Sequence, residues 1–339
     1  MTSFRSVRLA QRPTGLPTAE TWNIQAEELP ELAPGEFAVA IEQISLDPAM
    51  RGWLDDRPSY LPPVDLGAIM RAGSLGTITE SKNKKFPVGS SVVGNFGATE
   101  IAISDGSGVR IVKPELAPAS TFLGALGMTG MTAYFGFFEL GKPRAGDIVV
   151  VSAAAGAVGS VVGQLAKING CTVIGIAGGQ EKCNYVQQTL GFDVCLDYKE
   201  DVSIRKQLGA ALKELGAKGV DIYFDNVGGE ILNANLAYLA FGARVVICGA
   251  ISQYNATDIT PGPSNYMNLL VKRASMKGFL VFDYESEFSV AQRRIGTWLA
   301  QGKITAPETV VDGDISDFPA TLNRLFVGDN LGKLILKIR

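Results

Sequence analysis

From residue 146 the chain alternates short apolar runs with segments of helical spacing, and that rhythm leaves few folds open. "DIVVVSA", "CTVIGIA", "DVCLDY", "VDIYFDNV", "ARVVICG" and "MKGFLVFDY" read as strands. Residues 156–168, "EKCNYVQQTLGF", "SIRKQLGAALKELGAKG" and "EILNANLAYLAFG" read as the helices between them, the first stopping near Asn169-Gly170. Strands joined through helices must run parallel, and right-handed crossovers put the helices on both faces of one sheet. The expected class is α/β, built on a doubly wound parallel sheet.

The flanking sequence has a different grain. Up to about residue 120, "EFAVAIEQISL", "AGSLGTIT", "VGSSVVGNFG" and "GVRIVK" are short strand-like pieces punctuated by Gly and Pro, which suggests a barrel-like domain. After the helical "EFSVAQRRIGTWLAQGK", the tail offers "ETVVDG", a helix near "DFPATLNRLF", and the strand "KLILKI". That tail is too small to fold alone, so it is expected to return to the N-terminal domain, making the parallel-sheet domain an insertion. A length of 339 residues suits two domains. The expected division is 1–125 completed by 305–339, and 126–304.

Composition narrows the function. The 31 basic and 34 acidic residues nearly cancel, and Lys82, Lys84 and Lys85 form only a small basic cluster, so nucleic acid is not an expected partner. The uncharged run 116–138 is long enough to span a bilayer, but it holds Pro118, four glycines and four Ser or Thr. With a mean hydropathy of only +0.16, it reads as a buried connection, and no membrane partner is expected. The N-terminus has no apolar core of a secretory signal. Cys171, Cys183, Cys195 and Cys248 match no zinc or disulfide spacing and read as buried free thiols of a cytoplasmic protein. There is no histidine, so proton transfer must use Tyr, Lys, carboxylate, thiol or water.

The turn inside "VVVSAAAGAVGSVVGQLAKINGC" bears on what is bound. A dinucleotide fingerprint reads G-x-G-x-x-G between a strand and a helix, where this chain has Ala154, Gly156 and Gly159. Gly156 would let the backbone approach a pyrophosphate and Gly159 would let helix and strand pack closely. Ala154 can serve the tight turn if its φ stays negative. The competing reading is an ordinary tight turn of small residues. At the end of the next strand, an NAD site would carry Asp or Glu, whereas this chain reads Gly178, Gly179 and then Lys182. That arrangement leaves room and positive charge for a 2′-phosphate, so the expected cofactor is NADPH/NADP+. Glu181 as a ribose acceptor and Lys182 as a plain surface lysine are the alternatives.

Several segments together resemble the medium-chain dehydrogenase/reductase superfamily, in its zinc-independent branch of NADPH-dependent alkenal, prostaglandin and curcumin-type double-bond reductases. They are "RPTGLP", "SLDPAMRG", "SYLPPVDLGAIMRAG", "LGMTGMTAYFG", "AAAGAVGSVVGQLAK", "YFDNVGGE", "ICGAISQYN" and "GDNLGK", in the family's order along almost the whole chain. The resemblance implies a GroES-like catalytic domain with an inserted Rossmann domain, and a homodimer. It implies that Gly156, Ala157, Val158 and Gly159 hold the pyrophosphate, and that Lys182 and Tyr198 hold the 2′-phosphate. Asn226, the run Cys248, Gly249, Ala250, Ile251, Ser252 and Tyr254, and Phe279, Leu280 and Val281 would line the ribose and nicotinamide. Asn330 would reach the carboxamide from the tail.

The implied reaction is NADPH-dependent reduction of the C=C bond of a small α,β-unsaturated ketone or aldehyde. Tyr254 is the candidate catalytic residue, with packing against the ribose as its alternative. Met50, Tyr60 and Tyr266 are candidate pocket walls. The chain departs from the family at "GATEI", residues 97–101, and at Ala49, both of which remove aromatic surface. A quinone reductase or metal-free alcohol dehydrogenase, and an NADPH-binding protein without turnover, are the rival readings.

Overall fold

The computed structural model describes residues 2–112 and 117–339, so Lys113 of "GVRIVK" and Leu116 of the uncharged run lie outside the described residues. The chain divides into two compact bodies, one made of 1–123 with 308–339 and the other of 124–307.

The first body opens with β1 (Ser3–Leu9) and β2 (Trp22–Glu28), an antiparallel pair with Leu9 opposite Trp22. Neither strand stands out in the sequence, because β2 exposes most of its residues and shows no clean alternation. Then come β3 (Phe37–Leu46), β4 (Ser74–Ser81), β5 (Ser91–Gly94), β6 (Ile101–Ser104) and the two-residue β7 (Arg110–Ile111). β3 is the hub, pairing antiparallel with β4 and β6.

The second body begins with α1 (Met128–Phe135), which runs into a π-turn over Gly136–Gly141. α1 has no clear polar face; six of its residues are buried, so sequence periodicity is a weak guide to it. Next come β8 (Ile148–Ser152), α2 (Gly159–Ile168), β9 (Thr172–Ala177), α3 (Gln180–Gln188), β10 (Val194–Asp197), α4 (Ile204–Glu214), β11 (Val220–Asp225), α5 (Gly229–Leu236) and β12 (Leu239–Ile247). α6 (Met267–Lys272), β13 (Ser275–Gly278) and α7 (Phe288–Ala300) complete it. The six strands are all parallel, in the order β10-β9-β8-β11-β12-β13. This is the 3-2-1-4-5-6 order of a dinucleotide-binding Rossmann sheet.

Two boundaries differ from the pattern reading. The expected helix "EILNANLAYLAFG" stops at Leu236, and Leu239 already pairs with Val220 in the sheet, because strand pairing outcompetes helical propensity once Val220 offers an open edge. In "MKGFLVFDY" only β13 is strand, and Val281–Glu287 turns into a 3-10 segment.

The chain then returns to the first body with β14 (Glu308–Gly313), α8 (Phe318–Val327) and β15 (Lys333–Ile338). β14 and β15 are parallel across α8, and β15 pairs antiparallel with β3, Leu334 opposite Leu46. Lys333 is buried at this seam, its Nζ donating to Leu46 O (2.7 Å) and paired with Asp47 (2.6 Å). Phe37, Leu46, Leu54, Phe318 and Leu336 share one core of this body. Among the described residues no helix is long and apolar enough to cross a membrane.

Candidate active site at the strand ends

Parallel strands put all their C-terminal ends on one edge, and the point where strand order reverses, between β8 and β11, opens a crevice there. Two polar residues end these apolar strands. Ser152 Oγ accepts the Asn226 N–H at 2.9 Å and Asn226 Nδ2 donates to Ser152 O at 2.7 Å, stitching β8 to β11. Asp225 is buried, and its Oδ1 accepts from Tyr223 Oη (2.7 Å), Val227 N (3.0 Å) and Gly228 N (2.9 Å). Burial pushes the Asp225 carboxyl above its ordinary range, opposed by these hydrogen bonds and by Ser152. Burial, with Asp225 alongside, pushes the Tyr223 phenol well up.

The turn after β8 is tighter than the fingerprint suggests. The left-handed position falls on Ala153, at φ 49°, and Ala154 is not among the residues with positive φ. Ala154 is instead fully buried, its N–H donating to Ile176 O (3.0 Å). Gly156 N donates back to Ala153 O at 2.9 Å, closing the turn, and residues 156–158 are half-buried on the way into α2. A Cβ on Gly159 would meet Ala153 O at 2.3 Å, so helix and turn touch there; a Cβ on Gly156 would meet it at 3.1 Å.

At the end of β9 the chain reads Ala177-Gly178-Gly179, with Gly179 at φ 94° and nothing within 4 Å of where its Cβ would be. Tyr198 lies against Gly178, whose Cβ would fall 2.5 Å from the ring. Tyr198 is exposed and Lys182 is half-buried in the first turn of α3. Asp197 holds the two loops together, its Oδ1 accepting from Gly179 N (2.7 Å) and Lys199 N (2.9 Å). Glu181 is exposed.

The run after β12 is laced to the turn after β11. Cys248 N donates to Asp225 O (2.8 Å), Ile251 N to Asn226 O (3.2 Å), and Ser252 Oγ to Val227 O (2.6 Å). Tyr254 folds back so that its Oη accepts the Ala250 N–H at 3.2 Å, and a Cβ on Gly249 would sit 2.9 Å from that oxygen. Burial pushes the Cys248 thiol up to about 12. Phe279 packs on Gly136 at the π-turn, followed by exposed Leu280 and buried Val281.

The strand ends thus collect Gly156 to Gly159, Lys182, Tyr198, Asn226, Cys248 to Tyr254 and Phe279 to Val281 on one edge of one sheet. Tyr266 is exposed at the start of α6, which Asn265 and Asn268 pin to α5. Three candidates belong to the first body. Met50 is fully buried in the same core as Leu54; Tyr60 is exposed and its Oη accepts from Trp53 Nε1 at 3.2 Å. Asn330 Nδ2 donates to Gly332 O at 2.9 Å ahead of β15. Ala98, in "GATEI", is also fully buried, and Ala49 is half-buried. Pattern reading missed Ser152, Asp225 and Asp197, whose one signal is a polar residue closing an apolar strand.

Comparison with known proteins decides the family. Residues 5–112 match the model described as the N-terminal domain of oxidoreductase, and residues 157–295 the one described as zinc-binding dehydrogenase. A putative NADP-dependent oxidoreductase, YfmJ, of Bacillus subtilis (strain 168) is 41% identical over 99% of this chain and 98% of its own. The NADPH-dependent curcumin reductase of Escherichia coli (strain K12) is 38% identical, covering 97% and 95%. The crystal structure of CurA from Vibrio vulnificus in complex with NADPH superposes with a TM-score of 0.93 at 41% identity, covering 99% of each chain. The chain belongs to the medium-chain dehydrogenase/reductase family. Among the described residues of this family member, no group of three or more His, Cys, Asp or Glu is placed to hold a metal ion.

Proposed function

We propose that this chain is an NADPH-dependent reductase of the C=C bond in α,β-unsaturated ketones and aldehydes. The observation that carries the reading is its full-length likeness to the NADPH-dependent curcumin reductase. The strand ends fit the cofactor: Gly156 leaves a face that a Cβ would fill, and no carboxylate stands at the tip of β9, where the chain reads Gly178 and Gly179, with exposed Glu181 and then Lys182 beyond them in α3. Tyr198 beside Gly178 gives a 2′-phosphate and its base a second partner next to Lys182.

Bound NADPH supplies the hydride that adds to the substrate's β-carbon. Negative charge then develops on the carbonyl oxygen, which needs a donor at that moment. Tyr254 is that donor: the Ala250 N–H on its oxygen fixes the phenol in place. The α-carbon takes its proton from Tyr254 or from water. Asn226, tied to Ser152, and the run from Cys248 to Ser252, tied to residues 225–227, keep the wall of the cleft rigid. Asn330 is assigned to the cofactor carboxamide, and Tyr60 and Tyr266 to the substrate side.

A substrate panel followed by NADPH oxidation tests the reading. Consumption with 2-alkenals and enones, and none with saturated aldehydes, is the expected result. Turnover only with quinones makes the chain a quinone reductase, and binding without turnover makes it a non-catalytic NADPH protein. Tyr254→Phe should lower kcat; an unchanged kcat leaves Tyr254 a packing role.

The working form is a cytoplasmic homodimer. Four free thiols suit a reducing compartment. β13 ends the six-stranded sheet with its residues exposed, Met276 among them, and Leu270 and Val271 of α6 are exposed too, an edge that a second copy would cover.

A further inference from the structure

Two of the four cysteines are in contact. Cys183 lies in the first turn of α3, buried, and Cys195 lies in β10, partly exposed. The Cys195 Sγ is 3.0 Å from the Cys183 Sγ and donates its S–H to it. Cys171 and Cys248 have different surroundings: Cys171 Sγ donates to Arg144 O at 3.5 Å, and burial pushes its thiol up to about 11.

We propose that Cys183 and Cys195 form a redox-active dithiol, a modification site that peroxides convert to an intramolecular disulfide. The hydrogen bond from Cys195 lowers the Cys183 thiol from its ordinary value and raises the Cys195 thiol, so Cys183 is the sulfur that ionises. The Cys183 thiolate attacks one peroxide oxygen, the O–O bond breaks, and hydroxide leaves, so Cys183 becomes a sulfenic acid. Cys195 passes its proton to that hydroxide and its sulfur attacks the Cys183 Sγ; the S–O bond breaks and the second hydroxide leaves, taking a solvent proton to become water. Overall, two thiols and one hydrogen peroxide give one disulfide and two waters. A dithiol reductant reverses it.

The bond would sit under the 2′-phosphate residues, and this consequence rests on the cofactor reading above. Cys183 follows Lys182, and its N–H donates to Gly179 O at 3.1 Å. Cys195 is on the strand that ends in Asp197, the carboxylate holding Gly179 N, and Tyr198 comes next. Closing the sulfurs from 3.0 Å to a bond of about 2.05 Å draws α3 and β10 together by up to roughly 1 Å. Lys182 and Tyr198 move with the two elements that carry them, and a displacement of that size weakens a charge-assisted contact.

The experiment treats the reduced full-length protein with hydrogen peroxide, then maps thiols by non-reducing digestion and mass spectrometry. The expected product is a peptide cross-linked through positions 183 and 195, lighter by two hydrogens and reversed by dithiothreitol. NADPH affinity, titrated by fluorescence, should fall about fivefold or more on oxidation, NADH affinity should change less, and dithiothreitol should restore both. Cys195→Ser, or Cys183→Ser as a second variant, should give no cross-link and an NADPH affinity indifferent to peroxide. Sulfinic acids without a cross-link overturn the dithiol, and a cross-link that leaves NADPH affinity unchanged overturns the coupling. If the reduced protein does not bind NADPH, the cofactor reading falls and the cross-link alone decides the dithiol.

Discussion

Gly156 and Gly159 stand three residues apart in one turn, yet alanine at each should fail in a different assay. A Cβ on Gly159 would lie 2.3 Å from Ala153 O, 2.9 Å from Ala153 C and 3.1 Å from Ala154 Cα. All three are backbone atoms, and Ala153 already sits at φ 49°, so the turn has no cheap way to yield. Overpacking of this kind costs about 1–3 kcal/mol. At about 2–4 °C per kcal/mol for a body of this size, Gly159→Ala should lower Tm by about 5 °C. A Cβ on Gly156 would meet Ala153 O at 3.1 Å and Ala153 Cβ only at 4.0 Å, and Gly156 is not at positive φ. The small crowding there is offset by about 0.4–1 kcal/mol from a stiffer unfolded chain, so Tm should hardly move. The new methyl would instead stand where the pyrophosphate approaches, removing a charge-assisted hydrogen bond of about 1.5–3 kcal/mol. Gly156→Ala should therefore raise the Kd for NADPH about 10- to 100-fold, read by fluorescence titration beside a thermal melt. Equal loss of Tm in the two variants, or an unchanged Kd in Gly156→Ala, would refute the assignment of the cradle.

Lys182→Ala should raise the KM for NADPH about tenfold or more and leave that for NADH nearly unchanged; equal changes would mean that Lys182 does not meet the 2′-phosphate. Ala153→Gly should raise Tm by about 2–4 °C, because relief of a left-handed alanine releases about 1 kcal/mol, and no gain would show the turn to be unstrained. Asp225 has a folded pKa above its unfolded value of 3.8, so between the two the native state holds the extra proton. Its contribution to stability is therefore present at acid pH and lost as pH rises from 3.8 through the raised value. The stability difference between wild type and Asp225→Asn should follow that sign in denaturant titrations across the acid range; a difference flat with pH would place Asp225 on the ordinary carboxylate scale.

The parallel sheet was legible because each buried strand is a near-continuous apolar run and each helix between carries a 3.6 period, as in "IVVVS" and α2. β1 and β2 were not, since a two-stranded sheet with one exposed strand leaves no strong pattern. Gly156, Gly159, Gly178 and Gly179 were readable from their places after strand ends. Ser152, Asp225 and Asp197 were not, because each acts by bonding backbone that lies 18 to 74 residues away or just beyond its own strand.

Local pattern alone established the alternation of strand and helix, the absence of histidine, the small residues where a dinucleotide would approach, and the glycines in place of a carboxylate at the tip of β9. These are properties of neighbours in the chain, set by pleat, helical pitch and side-chain size. Tertiary structure alone decided that the left-handed residue is Ala153, that Asp225 is a buried acid closing the turn after β11, and that Met50 packs a core. It alone brought Cys183 within 3.0 Å of Cys195. Such facts depend on which strands meet and in what register, and that is settled by burial and hydrogen bonding summed over the whole body.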